Sequence, residues 1–310
     1  MRTDWIKQRL GTLDDDALLD VAEAVTEQLA GKEEEKPKNG IVHLIDLDQE
    51  IEQVRAERGK FKGYHTGYTT LDDKMGGLEQ GSVILIGGET SNGKSALATN
   101  IALNVSKTIG TLYISLEMTR KQILERLDHM TDGFKDDYDL MFQQEFDLSY
   151  KDLEPLFLEA TEKGEVKVVV LDYLQYLGRG MDEREVAKMS KTIKKLALKY
   201  NIAFIVIVSL RKAEAGKNKR KWYEIETEDL MGTAAIGYDA DTIVIASRKD
   251  QDNEFDADGI YVKVLKTRNT ALDYNDRIIR LKWDRTRITE DWTIPVKSDI
   301  GFKEVETLPL

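Results

Sequence analysis

The eight residues Gly88-Glu89-Thr90-Ser91-Asn92-Gly93-Lys94-Ser95 fit the pattern G-x4-G-K-[ST]. They lie between an apolar run at 82–87 and a helical pattern at 94–108. That context constrains the chain more than the letters do. A strand that ends in a glycine-rich loop and opens a helix turns backbone N–H groups and the positive helix end toward a phosphate. Lys94 would reach the β and γ phosphates of a nucleotide, Ser95 would ligate Mg²⁺, and the cradle would run from Gly88 to Ala96. The same spacing without strand and helix would be a glycine-rich turn that binds nothing.

The surrounding sequence supplies the sheet this loop requires. Apolar runs at 111–116, 167–171, 203–209 and 242–246 alternate with helical patterns at 120–130 and 183–200, the mark of βαβ units and a mostly parallel sheet. In the last helix Val186, Met189, Ile193, Leu196 and Tyr200 step by three and four, with lysines on the other face. Runs at 260–265 and 277–283 flank a polar turn region and read as an antiparallel extension. The expectation is an α/β core over residues 61–310. Residues 1–60 differ in texture. Leu13, Ala17, Val21, Ala24, Val25 and Leu29 predict a small helix behind Asp14, Asp15 and Asp16, and the charged stretch 31–40, with Pro37, reads as a linker. Leu47, Ile51 and Val54 then form an apolar stripe across 46–58, too thin to hold a helix alone, so that helix is expected to dock on another surface.

Composition excludes several classes. With 41% hydrophobic residues the chain can fill a core, which rules out global disorder. The densest apolar stretch, 202–210, is far short of a membrane span, and charges stand where a secretory apolar region would sit. The absence of cysteine removes disulfides and thiolate metal sites and fits a reducing cytoplasmic setting. A formal charge of −12 argues against a surface coated in nucleic acid, but not against one local basic patch.

A phosphate loop needs a Mg²⁺-orienting carboxylate, and Val168-Val169-Val170-Leu171-Asp172 supplies a strand that ends in one. Hydrolysis also needs a group that orients water. Glu117 follows the run 111–116, and by position it is either that base or a helix-start carboxylate.

The run Ser115-Leu116-Glu117-Met118, followed by Gln122 and Arg126, together with Leu171-Asp172-Tyr173-Leu174-Gln175-Tyr176, resembles two motifs of the DnaB-type replicative helicases, which are RecA-like ATPases. So do Asp229 to Ile236 with Asp239-Ala240-Asp241, and Lys266-Thr267-Arg268-Asn269. The resemblance covers about 61 to 283, with the motifs in family order. It implies a RecA-like core, with Glu117 as catalytic base and with Lys266 and Arg268 as lysine and arginine fingers that reach the ATP of a neighbouring subunit. It further implies a homo-oligomeric ring, usually of six, around single-stranded DNA, moving 5′ to 3′, with a primase or a helicase loader as partner. The helix at 46–58 matches the family's linker helix. About sixty residues precede the core, so a minimal form of the family is expected.

Two positions depart from the family pattern. Ser209 stands where the sensor strand usually ends in Gln or His, and Met231 where an Arg follows Asp-Leu. The DNA-facing expectation therefore rests on Lys217, Lys219, Arg220 and Lys221 beside Trp222, with Gly232 and Thr233; backbone attraction plus base stacking is how sequence-blind single-strand grooves work. The same run also reads as a solvated charge cluster. Arg179, with Arg184 and Lys188, is either a second pore-facing segment or solvated surface. His43, His65 and His129 lack metal-ligand spacing and read as structural, and Trp5, Trp283 and Trp292 as packing residues. Two other functions share these features: a RecA-like repair or branch-migration ATPase, and a nucleotide-gated DNA-binding ring that does not unwind.

Overall fold

The computed structural model describes Glu52 and residues 61–131, 133, 137–143, 148–177, 182–210, 221–230, 234–250, 254–268 and 277–290. Phe61–Leu310 forms a compact unit separate from Met1–Lys60, and the account below concerns that larger unit.

Its elements are, in chain order, α1 (Thr69–Met75), β1 (Val83–Gly88), α2 (Lys94–Ser106), β2 (Thr111–Ser115), α3 (Arg120–Thr131), β3 (Leu140–Gln143), α4 (Leu153–Lys163), β4 (Val168–Asp172), α5 (Leu174–Leu177), α6 (Glu183–Tyr200), β5 (Ala203–Ser209), α7 (Ala234–Asp239), β6 (Thr242–Ser247), β7 (Gly259–Thr267), β8 (Ile278–Trp283) and β9 (Ile288–Glu290). All nine strands join one sheet in the order β3-β2-β4-β5-β1-β6-β7-β8-β9. The first six are parallel and the last three antiparallel, as expected for a RecA-like core with an antiparallel extension.

Parallel strands covered on both faces read as continuous apolar runs, and β1, β2, β4 and β6 are buried at every position. Period-two alternation divides them between two cores. Leu85, Ile114, Leu171 and Val206 face α4 and α6 through Phe157, Met189, Ile193 and Leu196. Ile86, Tyr113, Val170 and Ile205 face α1 and α2 through Met75, Leu97 and Ile101. Helix α6 has the predicted stripe and explicit ends: Asp182 and Glu185 form a reciprocal capping box, and Asn201, at φ 50°, closes the helix in the left-handed region.

Six elements lay outside the sequence expectation: the short helices α1, α5 and α7, and three more. Strand β3 is a half-buried edge strand of four residues, too short to show periodicity. Helix α4 carries Pro155 in its first turn, where the missing N–H has no intrahelical partner to lose. Strand β9 spans three residues.

Candidate functional site

In open parallel sheets ligands bind beyond the carboxyl ends of the strands, and the largest constellation of functional side chains lies there. Strand β1 ends at Gly88, the loop follows, and Gly93 enters α2 at φ 85°. A Cβ on Gly93 would sit 2.7 Å from Ile260 Cδ1, so the turn accepts only glycine, through both its conformation and the close approach. The loop braces itself: the Asn92 amide and the Lys94 ammonium both donate to the Glu89 carbonyl, at 3.3 and 2.8 Å. Asn92 Nδ2 and Lys249 Nζ lie 3.3 and 3.6 Å from Glu89 Oε2.

Asp172 ends β4 and is 1% exposed. Ser95 Oγ donates to its Oδ1 at 3.1 Å and Tyr113 OH to its Oδ2 at 2.9 Å. Burial raises the Asp172 pKa against the pull of those two hydrogen bonds. Burial lowers that of Lys94, opposed by the charges of Asp172, Glu117 and Glu89. The carboxylate and the ammonium are thus each short of solvation, a condition that a bound polyphosphate with its cation relieves.

These groups line a cavity of about 500 Å³ with Thr90, Ser91, Gly93, Ala96, Glu117, Met118, Gln122, Arg126, Tyr173, Ser209 and Trp283. Arg126 Nη1 is buried and finds no hydrogen-bond partner among the described residues. An orphaned buried cationic donor is costly, about 1–3 kcal/mol or more, and an anion in the cavity would satisfy it. The oxygen donors Ser95 and Asp172 suit Mg²⁺, which keeps several waters and takes one or two protein oxygens beside substrate phosphates. The residues present therefore fit Mg²⁺ and a nucleotide polyphosphate. A second cavity of about 210 Å³, lined by Asn100, His129, Met130, Arg285 and Thr286, shares Ala96, Arg126 and Trp283 with the first.

The profile of the DnaB-like helicase C terminal domain matches residues 63–137 and 129–286, well over half of the chain. The chain belongs to that family. It is 29% identical over 238 residues to the replicative DNA helicase DnaB of Nostoc sp. (strain PCC 7120 / SAG 25.82 / UTEX 2576), covering 66% of this chain and 27% of that protein. The replicative DNA helicase DnaB of Leifsonia xyli subsp. xyli (strain CTCB07) is 27% identical over 249 residues, 69% of this chain and 54% of that one. A probable plasmid replicative DNA helicase of Chlamydia trachomatis is 30% identical over 226 residues, 61% and 48%. The chain thus spans between about a quarter and about half of the length of these relatives. Two solved structures share the fold at a TM-score of 0.67 and 20% identity. One is the ATPase domain of G40P, covering 79% of this chain and 97% of that one. The other is a DnaB-like replicative helicase whose interactions with primase were described, covering 93% and 75%.

In this DnaB-like domain the remaining expected residues fall elsewhere. Lys266 and Arg268 line neither cavity. Lys266 Nζ donates to the carbonyls of Gly237 and Ala240 at 2.9 and 2.6 Å, at the carboxyl end of α7, where cations are favoured. Arg268 Nη1 pairs with Asp241 Oδ1 at 3.2 Å and Nη2 donates to the Tyr238 carbonyl at 3.1 Å, yet the side chain stays 54% exposed. Asp241 Oδ2 accepts from Lys194 Nζ and from the Val83 amide, at 2.6 and 2.8 Å. The cluster is therefore tied to the amino end of β1. Burial lowers the Lys266 pKa, with Arg268 adding to the effect.

Of the DNA-facing expectations, Lys217, Lys219, Arg220, Arg179, Gly232 and Thr233 lie outside the described residues. Lys221 lies within them, its ammonium 5.4 Å from the Tyr223 ring centroid. Trp222 corrects its expected role: it is 3% exposed, packs against Tyr223 and Tyr261, and donates to the Asp250 carbonyl at 2.8 Å. A ring used in this way is a core anchor and offers no face to a base. Trp283 packs against the core as expected and in addition lines both cavities. Gln122 and Arg126 were visible as motif letters; their i, i+4 spacing on α3 is the signal that puts both on the cavity face. Nothing in the sequence singles out Tyr113 or Trp283.

Proposed function

We propose that the chain is an ATP-dependent DNA helicase subunit that works in a homo-oligomeric ring, six by family resemblance, moving 5′ to 3′ on single-stranded DNA at replication forks. One observation carries the reading: a single cavity gathers Lys94, Ser95, Glu117, Arg126 and Asp172, while Lys266 and Arg268 sit at the other end of β1, held by Asp241 and α7. Phosphoryl transfer is catalysed by positioning and charge neutralisation, and an arginine supplied across an interface is worth about 10³–10⁵ in rate. Lys94 and Arg126 neutralise the phosphates, and Glu117 orients the attacking water and takes its proton. Ser95 and Asp172 would hold Mg²⁺, which neutralises charge on the β and γ phosphates when bound. The smaller cavity takes the base and ribose. Strand β1 has six residues, about 20 Å at a rise of about 3.3 Å each, which is beyond the reach of an arginine. Arg268 therefore serves a neighbouring site, and the exposed Tyr238 beside it, 72% accessible, suits a subunit contact.

The basic residues Lys217, Lys219, Arg220, Lys221 and Arg179, with Gly232 and Thr233, face the strand in the pore. Residues 1–60 supply the helix that docks on an adjacent subunit and a contact for a primase or a loader, in the cytoplasm. Among the described residues no helix is long and apolar enough to cross a membrane.

The test is the ATP hydrolysis rate per chain against protein concentration, with and without single-stranded DNA, followed by unwinding of a forked duplex. A rate that rises with concentration, rises again with DNA and accompanies strand separation is expected. Turnover independent of both would leave a self-contained ATPase, and DNA-stimulated turnover without unwinding would leave a nucleotide-gated clamp.

A further inference from the structure

The Asp172 carboxylate has two oxygens, and its chemistry depends on which one faces the phosphate loop. Oδ1 is shared with Ser95 Oγ at 3.1 Å. Oδ2 is taken by the hydroxyl of Tyr113 at 2.9 Å. Tyr113 lines neither cavity and so touches no bound nucleotide. Its ring is 2% exposed on strand β2, next to the edge strand β3, and lies beside Phe142 at 5.5 Å between centroids. Parallel register pairs Tyr113 with Val170 and Ser115 with Asp172, so the backbone fixes how far the hydroxyl stands from the carboxylate. Proton counting fixes its direction. An ionised carboxylate only accepts, so the single hydroxyl proton of Tyr113 goes to Oδ2. The Thr99 hydroxyl, 3.2 Å from Tyr113 OH, gives its proton to the Ser95 carbonyl at 2.6 Å. With both protons placed, Thr99 meets Tyr113 by contact alone, and the two donors Ser95 and Tyr113 tie the first turn of α2 and strand β2 to the end of β4.

We infer that Tyr113 is a positioning residue for the Mg²⁺ site: its buried hydroxyl pins Oδ2 of Asp172 and leaves Oδ1, the oxygen already shared with Ser95, to face the loop. Outer groups of this kind orient metal-binding side chains, and their loss typically weakens metal affinity about 10–100-fold. The inference rests on the phosphate-loop reading of the cavity. Among the described residues no other side chain donates to Oδ2, so without the hydroxyl both oxygens compete for Ser95 and the cation.

The test is Tyr113→Phe in the full chain, which removes one oxygen and keeps the ring. Binding of a fluorescent ADP analogue is titrated in EDTA and across a MgCl₂ series, with melting temperature measured in parallel. The expected result is an EDTA affinity within about twofold of the parent and a half-saturating Mg²⁺ concentration raised about tenfold, the size of one lost hydrogen bond to a charged group. Hydrolysis should recover at high Mg²⁺. An unchanged Mg²⁺ titration with a lowered melting temperature would make Tyr113 a packing residue and overturn the inference. Thr99→Val keeps the pin while removing the hydroxyl beside it, and a shift as large as that of Tyr113→Phe would overturn it as well. A parent protein whose nucleotide binding ignores Mg²⁺ would remove the site reading itself, a failure visible before any variant is made.

Discussion

The two ends of β1 carry similar inventories of charge in opposite states. At the carboxyl end Lys94, Arg126 and Asp172 line one cavity, with one buried donor lacking a partner among the described residues and the carboxylate ionised only against its burial. At the amino end Lys194, Lys266 and Arg268 meet Asp241 and the last carbonyls of α7, and each side chain has a partner within the fold. The first arrangement is short of solvation, as the proposed phosphate site requires. The second is satisfied, with Arg268 and Tyr238 exposed at its outer surface. The same residue types thus make a binding site or a brace, depending on whether their counter-charges are built into the chain.

Four substitutions test that contrast, in falling order of effect. Arg268→Ala should lower steady-state ATP turnover about 10³-fold or more while leaving nucleotide affinity within about threefold, since the residue lines neither cavity. Mixed with Glu117→Ala it should regain part of the lost rate, and mixed assemblies without recovery would place its action within one chain. Lys94→Ala should reduce hydrolysis about 10²–10³-fold, the usual loss on removing one preorganised charge donor; full turnover in this variant would dismiss the carboxyl end as the phosphate site. The next two make the same exchange at opposite ends. Asp241→Asn withdraws the counter-charge of two cations and should cost about 1–3 kcal/mol in chemical denaturation. Asp172→Asn should act the other way and raise the melting temperature without Mg²⁺, while abolishing Mg²⁺-dependent nucleotide binding. The sign follows from linkage. Burial lifts the folded pKa of Asp172 above the ordinary 3.8, so ionisation removes stability as pH rises through that interval, and an amide never ionises. Its Nδ2 and Oδ1 can still meet Ser95 and Tyr113. Equal signs for the two Asp→Asn variants would collapse the distinction between the ends.

The phosphate loop was legible because its signal is local: one strand, one turn and one helix start within fourteen residues or so of sequence, each with its own residue chemistry. The parallel core was legible for a related reason, since doubly covered strands such as Val168–Asp172 are apolar at nearly every position. Tyr113 and Trp283 were not, because their roles come from what the sheet brings beside them across 59 residues in one case and across the whole antiparallel extension in the other. Trp222 shows the opposite failure. Four cations next to an aromatic suggested a stacking platform, and the burial of the ring under β7 decides against it. The edge strand β3 escaped notice because four half-buried residues carry no periodic pattern.

Strand β1 is hydrogen-bonded along both sides, to β5 and β6, and covered on both faces. Such an element behaves as a strut: close-packed interiors have low compressibility and pass displacement on with little loss. With the loop at one tip and the Asp241 knot at the other, the separation between the phosphate loop and Arg268 within one chain is a constant of the fold. In the ring proposed above, a stroke would then arise where subunits meet, as rotation of whole cores.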